Sequence, residues 1–212
     1  MPIRVTLRTT RDFSPFREML HRLITLPDAD DLILCSGYIW EPYPGYAYDK
    51  YKILDDELLN KLEIGCRGKN IVTIAGKLDE RWLEFYKSFV RRLRSHGLNV
   101  TPYFAPKRNW HAKIAIRLKN NIPIAAIIGS SNLTGPAYGE DRYNWNFESD
   151  ILIWNDYPII DSYFSKQFEA TIPFGDMQLI LNPYIPQANE EQQLRAIYQD
   201  TINNDFDELP FE

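Results

Sequence analysis

Cysteine and histidine are scarce in this chain of 212 residues, which has two cysteines and three histidines. Cys35 and Cys66 are too few for a disulfide framework or a cysteine-rich metal site, and we expect both to be reduced thiols. No stretch approaches the roughly 18 consecutive apolar residues that a membrane-spanning helix needs. The N-terminal residues also lack the pattern of an export signal. We therefore expect a cytoplasmic protein without a membrane partner.

Acidic residues outnumber basic ones, but the two kinds are unevenly distributed. The formal net charge is −5, whereas residues 77–119 carry +8 and residues 137–212 carry −12. A basic middle followed by an acidic tail suggests a polyanionic partner on one face. Two solvated faces without any partner would give the same pattern. Charge alone leaves both alternatives open.

Hydrophobic periodicity predicts a layered α/β fold. Strands are predicted at residues 3–7, 31–36, 70–75, 98–104, 110–118, 122–128 and 149–154. Helices are predicted at residues 14–26, 54–62 and 79–96. Because strands and helices alternate in the first half of the chain, we expect a mixed, largely parallel sheet flanked by helices.

Polar side chains gather at the predicted hairpin of residues 110–128. Alternation with period two places His111, Lys113 and Arg117 on one face of its first strand. The second strand ends in Gly129-Ser130-Ser131-Asn132, a turn of small polar residues that can surround an anion. If the two strands pair, this turn returns beside His111 and Lys113.

These motifs resemble the signature of the phospholipase D superfamily. The shared HxK, GSxN and NxE elements are formed here by His111, Lys113, Gly129, Ser130, Asn132, Asn146 and Glu148. The resemblance implies a phospholipase D-like catalytic domain over residues 1–175. Residues 176–212 then form a C-terminal extension.

The chain departs from the family pattern at two points. Leu118 stands where the fuller motif has an aspartate, a residue that the resemblance assigns to structural support. The family's site also uses two HxK motifs, whereas this chain has one, and His21 and His96 lie in predicted helices. The resemblance therefore implies that a second copy completes the site in a two-fold symmetric homodimer.

In such a shared site, one neutral His111 would attack phosphorus and form a phosphohistidine. The partner's His111 would protonate the leaving oxygen and then activate water. Phosphate would be held by Lys113, Ser130 and Asn132. Glu148 would orient the imidazole, with Asp150 on the same face as a rival for that role. Since no compact cluster of carboxylates, histidines or cysteines is present in the sequence, we expect neither a metal nor a cofactor.

The superfamily contains lipid enzymes as well as nucleases, so the motif does not select the substrate. A nuclease, acting on DNA rather than RNA, is favoured by the missing export signal, the single motif and the basic residues near the site. Candidate nucleic-acid contacts are Arg91, Arg92, Arg94, Lys107, Arg108 and Arg117. By analogy, an ATPase or helicase of a restriction or phage-defence system is a possible partner. The alternatives are a hydrolase of phospholipid or another small phosphodiester, and an inactive nucleic-acid-binding subunit.

The C-terminal extension carries two further patterns. Residues 190–202 predict a short amphipathic helix that docks on the domain or on a partner. Residues 205–212 are acidic with interleaved aromatics. They form a frayed tail, engage a partner protein, or lie over a basic groove as an inhibitory mimic of nucleic acid.

Overall fold

A single eight-stranded sheet organises the residues that the computed structural model describes, which are 2–43, 52–76, 80–105, 110–139, 145–169, 190–203 and 206–209. The strands are β1 (Ile3–Arg8), β2 (Leu32–Ser36), β3 (Asn70–Ala75), β4 (Asn99–Phe104), β5 (Lys113–Lys119), β6 (Ile122–Gly129), β7 (Glu148–Trp154) and β8 (Asp207–Glu208). Their spatial order is β1-β7-β6-β5-β2-β3-β4-β8. The predicted class, a mixed sheet flanked by helices, is confirmed. The expectation of a largely parallel sheet is wrong: β2 pairs with β3 and β3 with β4 in parallel, but the other five neighbouring pairs are antiparallel, because β5, β6 and β7 form a meander whose ends join β2 and β1.

Six helices accompany the sheet among the described residues, and two of them begin at a capping side chain. They are α1 (Pro15–Ile24), α2 (Asp56–Cys66), α3 (Glu80–Ser95), α4 (Gly135–Tyr138), α5 (Pro158–Glu169) and α6 (Glu190–Ile202). Ser14 caps α1 as predicted, since its hydroxyl accepts a hydrogen bond from the Arg17 amide at 3.3 Å. The second helix starts later than predicted because Asp55 is its N-cap and accepts from the Leu58 amide at 2.8 Å. No helix in the described ranges is long and apolar enough to cross a membrane.

Apolar side chains form a core on each face of the sheet. On one face, Leu34, Ile127 and Leu152 pack with buried residues of α1, α2, α3 and α5. On the other face, Leu194 of α6 packs against strand residues that include Ile33 and Ile116. The predicted helix of the C-terminal extension thus lies on this domain's own sheet. The predicted boundary between residues 175 and 176 lies outside the described residues.

One edge of the sheet collects the strand ends that carry the motifs. Because β5 and β7 run antiparallel to their neighbours, their first residues meet the last residues of β1, β2, β3, β4 and β6. Lys113, Gly129 and Glu148 therefore lie at the same edge, which we call the catalytic edge after the activity that the motifs predict. The third helix starts at this edge and runs back across the sheet to the opposite one.

Arg117 is fully buried in this structure, so the prediction that it contacts nucleic acid is wrong. Its guanidinium donates to the Gly65 carbonyl oxygen at 2.5 Å and lies 3.1 Å from the Cys66 sulfur, at the end of α2. Alternation does place Arg117 on the same face of β5 as Lys113. However, four residues of strand separate the two by about 13 Å, and α2 covers that part of the sheet.

Candidate active site

His111 and Lys113 come together at the beginning of β5. The strand starts at Lys113, so His111 precedes it instead of lying within it as predicted. The Lys113 Nζ atom lies 2.7 Å from Nδ1 and 3.1 Å from Nε2 of His111, and it donates to the His111 carbonyl oxygen at 2.8 Å. Lys113 is buried while His111 is exposed. A buried ammonium group thus lies directly behind an accessible imidazole.

Burial changes the acidity of Lys113. Removal from water lowers the pKa of its ammonium group, and the nearby Glu148 carboxylate opposes this change. An anion that binds beside Lys113 would favour the charged amine in the same way as Glu148. The ammonium is therefore suited to receive a phosphate oxygen.

Two glycines at the ends of β2 and β3 let the chain approach the catalytic edge closely. A Cβ atom on Gly76 would lie 1.9 Å from the Trp110 carbonyl oxygen, and one on Gly37 would lie 3.0 Å from the His111 Cα atom. Any larger residue at position 76 would displace the segment that carries His111. Sequence reasoning missed both positions, although a glycine directly after each of two buried parallel strands was a visible signal.

The turn of residues 129–132 is anchored on both sides. The Ser130 hydroxyl donates to the Glu148 carboxylate, and it accepts from the Ser149 amide at 2.9 Å. The Asn132 amide oxygen lies 3.4 Å from the hydroxyl of Ser36, the last residue of β2. The structure therefore brings all the predicted phosphate-binding groups to the catalytic edge. Ser130 would have to release Glu148 before its hydroxyl could donate to a phosphate.

Glu148 is buried, and neighbours in its own chain satisfy its carboxylate. Besides Ser130, the Asn146 side-chain amide donates to it at 3.0 Å. Within the described part of the chain, the hydrogen bonds of the His111 ring nitrogens go to Lys113 and not to Glu148. The predicted role of Glu148 in orienting an imidazole stays a prediction for the assembled site.

The Asp150 side chain anchors the turn of residues 129–132. Its carboxylate accepts from the Ser131 hydroxyl at 2.6 Å and from the Ser131 amide at 3.2 Å. A Cβ atom on Gly129 would lie 2.0 Å from an Asp150 oxygen, so only glycine fits there. Burial raises the pKa of Asp150 to about 6, and the Glu148 charge adds to this increase. The geometry does not favour the alternative in which Asp150 orients the imidazole, because the Asp150 carboxylate oxygens face Ser131 and not His111.

The predicted basic contacts are not gathered at the catalytic edge. Arg92 pairs with the buried Glu41, and Arg94 donates to the Val100 carbonyl oxygen at 2.9 Å. Arg91 is exposed, but with these two it belongs to the second half of α3, about 16 Å or more along the helix from its start at the catalytic edge. Proximity in sequence was misleading here, because these arginines lie near the far end of α3 and the whole of β4 separates them from His111. Lys107 and Arg108 lie outside the described residues.

The other two histidines have structural partners away from the site. Buried His21 places Nε2 2.6 Å from the Tyr138 hydroxyl, and His96 places Nδ1 2.8 Å from a Glu63 oxygen. Burial lowers the pKa of His21 to about 4. Among the described residues, no group of three or more His, Cys, Asp or Glu side chains is arranged to hold a metal ion.

The Asp150→Asn variant should gain stability relative to the wild type as pH rises from about 4 to about 7. Folded Asp150 keeps its proton up to about pH 6, whereas an unfolded aspartate releases it near 3.8. The folded wild type therefore binds more protons across this window, and its free energy of unfolding falls as pH rises. Asparagine has no such proton to release.

Urea unfolding of both proteins at several pH values measures this difference. The free energy of unfolding of Asp150→Asn minus that of the wild type is the gap to follow. This gap should become more positive as pH rises. A gap that stays constant over the same range would contradict the protonation state that we assign to Asp150.

Comparison with known proteins identifies the fold and the family. Residues 19–171 match the family described as the NgoFVII restriction endonuclease N-terminal PLD domain. No curated protein matches the sequence significantly.

The chain is also similar to solved structures of low sequence identity. Phosphatidylserine synthase from Haemophilus influenzae Rd KW20 matches at 11% identity with a TM-score of 0.50, over 94% of this chain and 46% of that one. NucT from Helicobacter pylori matches at 16% identity with a TM-score of 0.41, over 81% and 99%. Polyphosphate kinase from Porphyromonas gingivalis matches at 16% identity with a TM-score of 0.47, over 83% and 27%. The family match spans well over half of the sequence, and the chain therefore belongs to the NgoFVII restriction endonuclease N-terminal PLD domain family of the phospholipase D superfamily.

Proposed function

We propose that this chain is a metal-independent nuclease that cleaves phosphodiester bonds of nucleic acid, with DNA as the favoured substrate. The contact between the Lys113 ammonium group and the His111 imidazole, beside the turn of residues 129–132, is the observation that supports it most directly. Membership of a restriction-endonuclease domain family favours a nuclease over a lipid enzyme.

The side chains of the catalytic edge match the demands of the reaction. Lys113 and Asn132 bind the non-bridging oxygens and stabilise the negative charge that grows on them. The imidazole of His111 attacks phosphorus, so that a P–N bond forms as the P–O bond to the leaving strand breaks. A second imidazole donates its proton to the leaving oxygen. It then removes a proton from water, whose oxygen displaces His111 and restores the enzyme.

This reaction needs two imidazoles, and we propose that a second copy of the chain provides one of them. His21 and His96 are held elsewhere, so the single chain offers only His111 at the catalytic edge. Two large apolar side chains are exposed near that edge, with Leu7 at 48% and Phe147 at 72% accessibility. Leu7 lies opposite Ser149 in the sheet, close to Glu148. Both side chains offer apolar area for a two-fold interface across the site.

Partners and cellular role follow by analogy. Membership of a restriction-endonuclease domain family supports a restriction or phage-defence role. We propose that the chain acts in the cytoplasm with an ATPase, helicase or other defence protein. Hydrolysis of a phospholipid or another small phosphodiester, or nucleic-acid binding without cleavage, are the competing functions.

The purified chain should nick supercoiled plasmid DNA in the presence of excess chelator, and His111→Ala should abolish nicking. The variant lacks the nucleophile, whereas its fold should persist because His111 is exposed. His96→Ala is the matched control, since it removes a surface histidine at the opposite edge of the sheet and should keep wild-type activity. Agarose gels of the reaction over time measure the rates.

Three other outcomes would replace the proposal. Salt-sensitive DNA binding without any nicking would favour an inactive binding subunit. Hydrolysis of phospholipid vesicles with intact DNA would favour a lipid enzyme. Nicking that a chelator stops and Mg²⁺ restores would contradict a metal-independent reaction.

Mixing wild-type and His111→Ala chains should lower activity more steeply than the wild-type fraction. If each site needs both imidazoles, equal amounts leave only about one quarter of the dimers intact after random exchange. Mass spectrometry under native conditions would verify the exchange. Activity that falls in proportion to the wild-type fraction would contradict a shared site.

A further inference from the structure

The last described residues, 206–209, form part of the sheet. In β8, Glu208 pairs with Tyr103 and Asp207 pairs with Phe104, at the end of β4 that belongs to the catalytic edge. The Leu209 amide donates to the Pro102 carbonyl oxygen at 3.1 Å, and the Leu209 side chain is 2% exposed. The prediction of a frayed tail is therefore wrong for these residues.

Phe206 packs on Trp110, the residue that precedes His111. The two ring centroids lie 5.3 Å apart at an interplanar angle of 86°, which is the edge-to-face arrangement that aromatic pairs prefer. The indole N–H of Trp110 also donates to the Cys35 sulfur at 2.7 Å. The indole is therefore held by the C-terminal segment and by β2 together.

The backbone of Trp110 packs closely against the chain at Gly76. Its carbonyl oxygen occupies the space that a side chain at Gly76 would fill, directly beyond the end of β3. Trp110 thus contacts β2 and Phe206 through its indole and approaches the end of β3 closely through its backbone. A shift of the indole would move the neighbouring His111, which makes contact with Lys113 but has no strand pairing of its own.

We propose that Phe206 is a positioning residue for His111, acting through Trp110, so that the C-terminal segment is part of the scaffold of the site. This inference rests on the proposed role of His111 in phosphodiester cleavage. The same geometry argues against an inhibitory mimic of nucleic acid. Asp207 and Glu208 are exposed on a strand four positions from β5, which puts them about 19 Å across the sheet from Lys113.

The test compares three changes within this segment in the full chain. Phe206→Ala should lower kcat for DNA nicking by about 10- to 100-fold, the scale expected when a reacting group is misplaced. KM should change little, because Lys113 and Asn132 remain in place. Phe206→Tyr keeps the ring and should restore most of the activity. The double variant Asp207→Asn/Glu208→Gln removes the acidic charge without touching Trp110 and should match the wild type.

Magnetic resonance of the imidazoles provides a second measurement that does not depend on cleavage. The chain has three histidines, so single His→Ala variants assign their signals. Phe206→Ala should shift or broaden the His111 signals and leave those of His96 unchanged. A cooperative thermal unfolding transition would show that the variant is still folded. If Phe206→Ala does not fold, Phe206→Leu, which keeps apolar volume but loses the ring, replaces it in both measurements.

The possible outcomes separate the two proposals. An unmoved His111 signal or an unchanged kcat in Phe206→Ala would overturn the positioning role. Faster nicking by Phe206→Ala or by the double acidic variant would overturn it in favour of inhibition by the tail. If the wild type cleaves no nucleic acid, the proposed function fails, and the His111 signal alone decides whether Phe206 positions this residue.

Discussion

The rest of the catalytic edge depends on how the buried ammonium group of Lys113 is compensated by its neighbours. A buried charge is unfavourable unless nearby groups compensate it. Here His111 supplies a carbonyl oxygen and ring nitrogens within hydrogen-bond distance, and Glu148 supplies a negative charge. Ser130 in turn binds Glu148 and fixes the neighbouring turn. The proposed nucleophile His111, the cation and the turn are thus coupled through one positive charge.

The sheet makes this coupling possible because of its mixed direction. Three parallel strands, β2, β3 and β4, end at the catalytic edge, and the antiparallel meander brings the start of β5, the end of β6 and the start of β7 to the same place. Glycines remove the side chains that would obstruct this convergence. Gly76 makes room for the Trp110 carbonyl, and Gly129 makes room for Asp150. The site therefore depends as much on small residues as on charged ones.

Local sequence patterns predicted the elements well where burial alone decides structure. The strand at residues 70–75 has the predicted bounds, since its apolar run is covered by a hydrophobic core on each face of the sheet. The strand predicted from residue 110 begins at Lys113 because Trp110 and His111 cross the ends of β2 and β3 instead of pairing. Its polar face was predicted, yet periodicity could not show that α2 covers Arg117. The pairing of residues 207–208 with β4 is a contact across about a hundred positions, which no local pattern encodes.

The central claim is that His111 itself attacks phosphorus. The most direct measurement denatures the enzyme at alkaline pH during turnover of a DNA oligonucleotide in chelator, then maps any nucleotide adduct by peptide mass spectrometry. Alkaline conditions are chosen because a P–N bond to imidazole is labile in acid. The account predicts an adduct on the peptide that contains His111, absent from the His111→Ala protein. An adduct on a different residue, or sustained metal-free turnover with no adduct on any peptide, would contradict it.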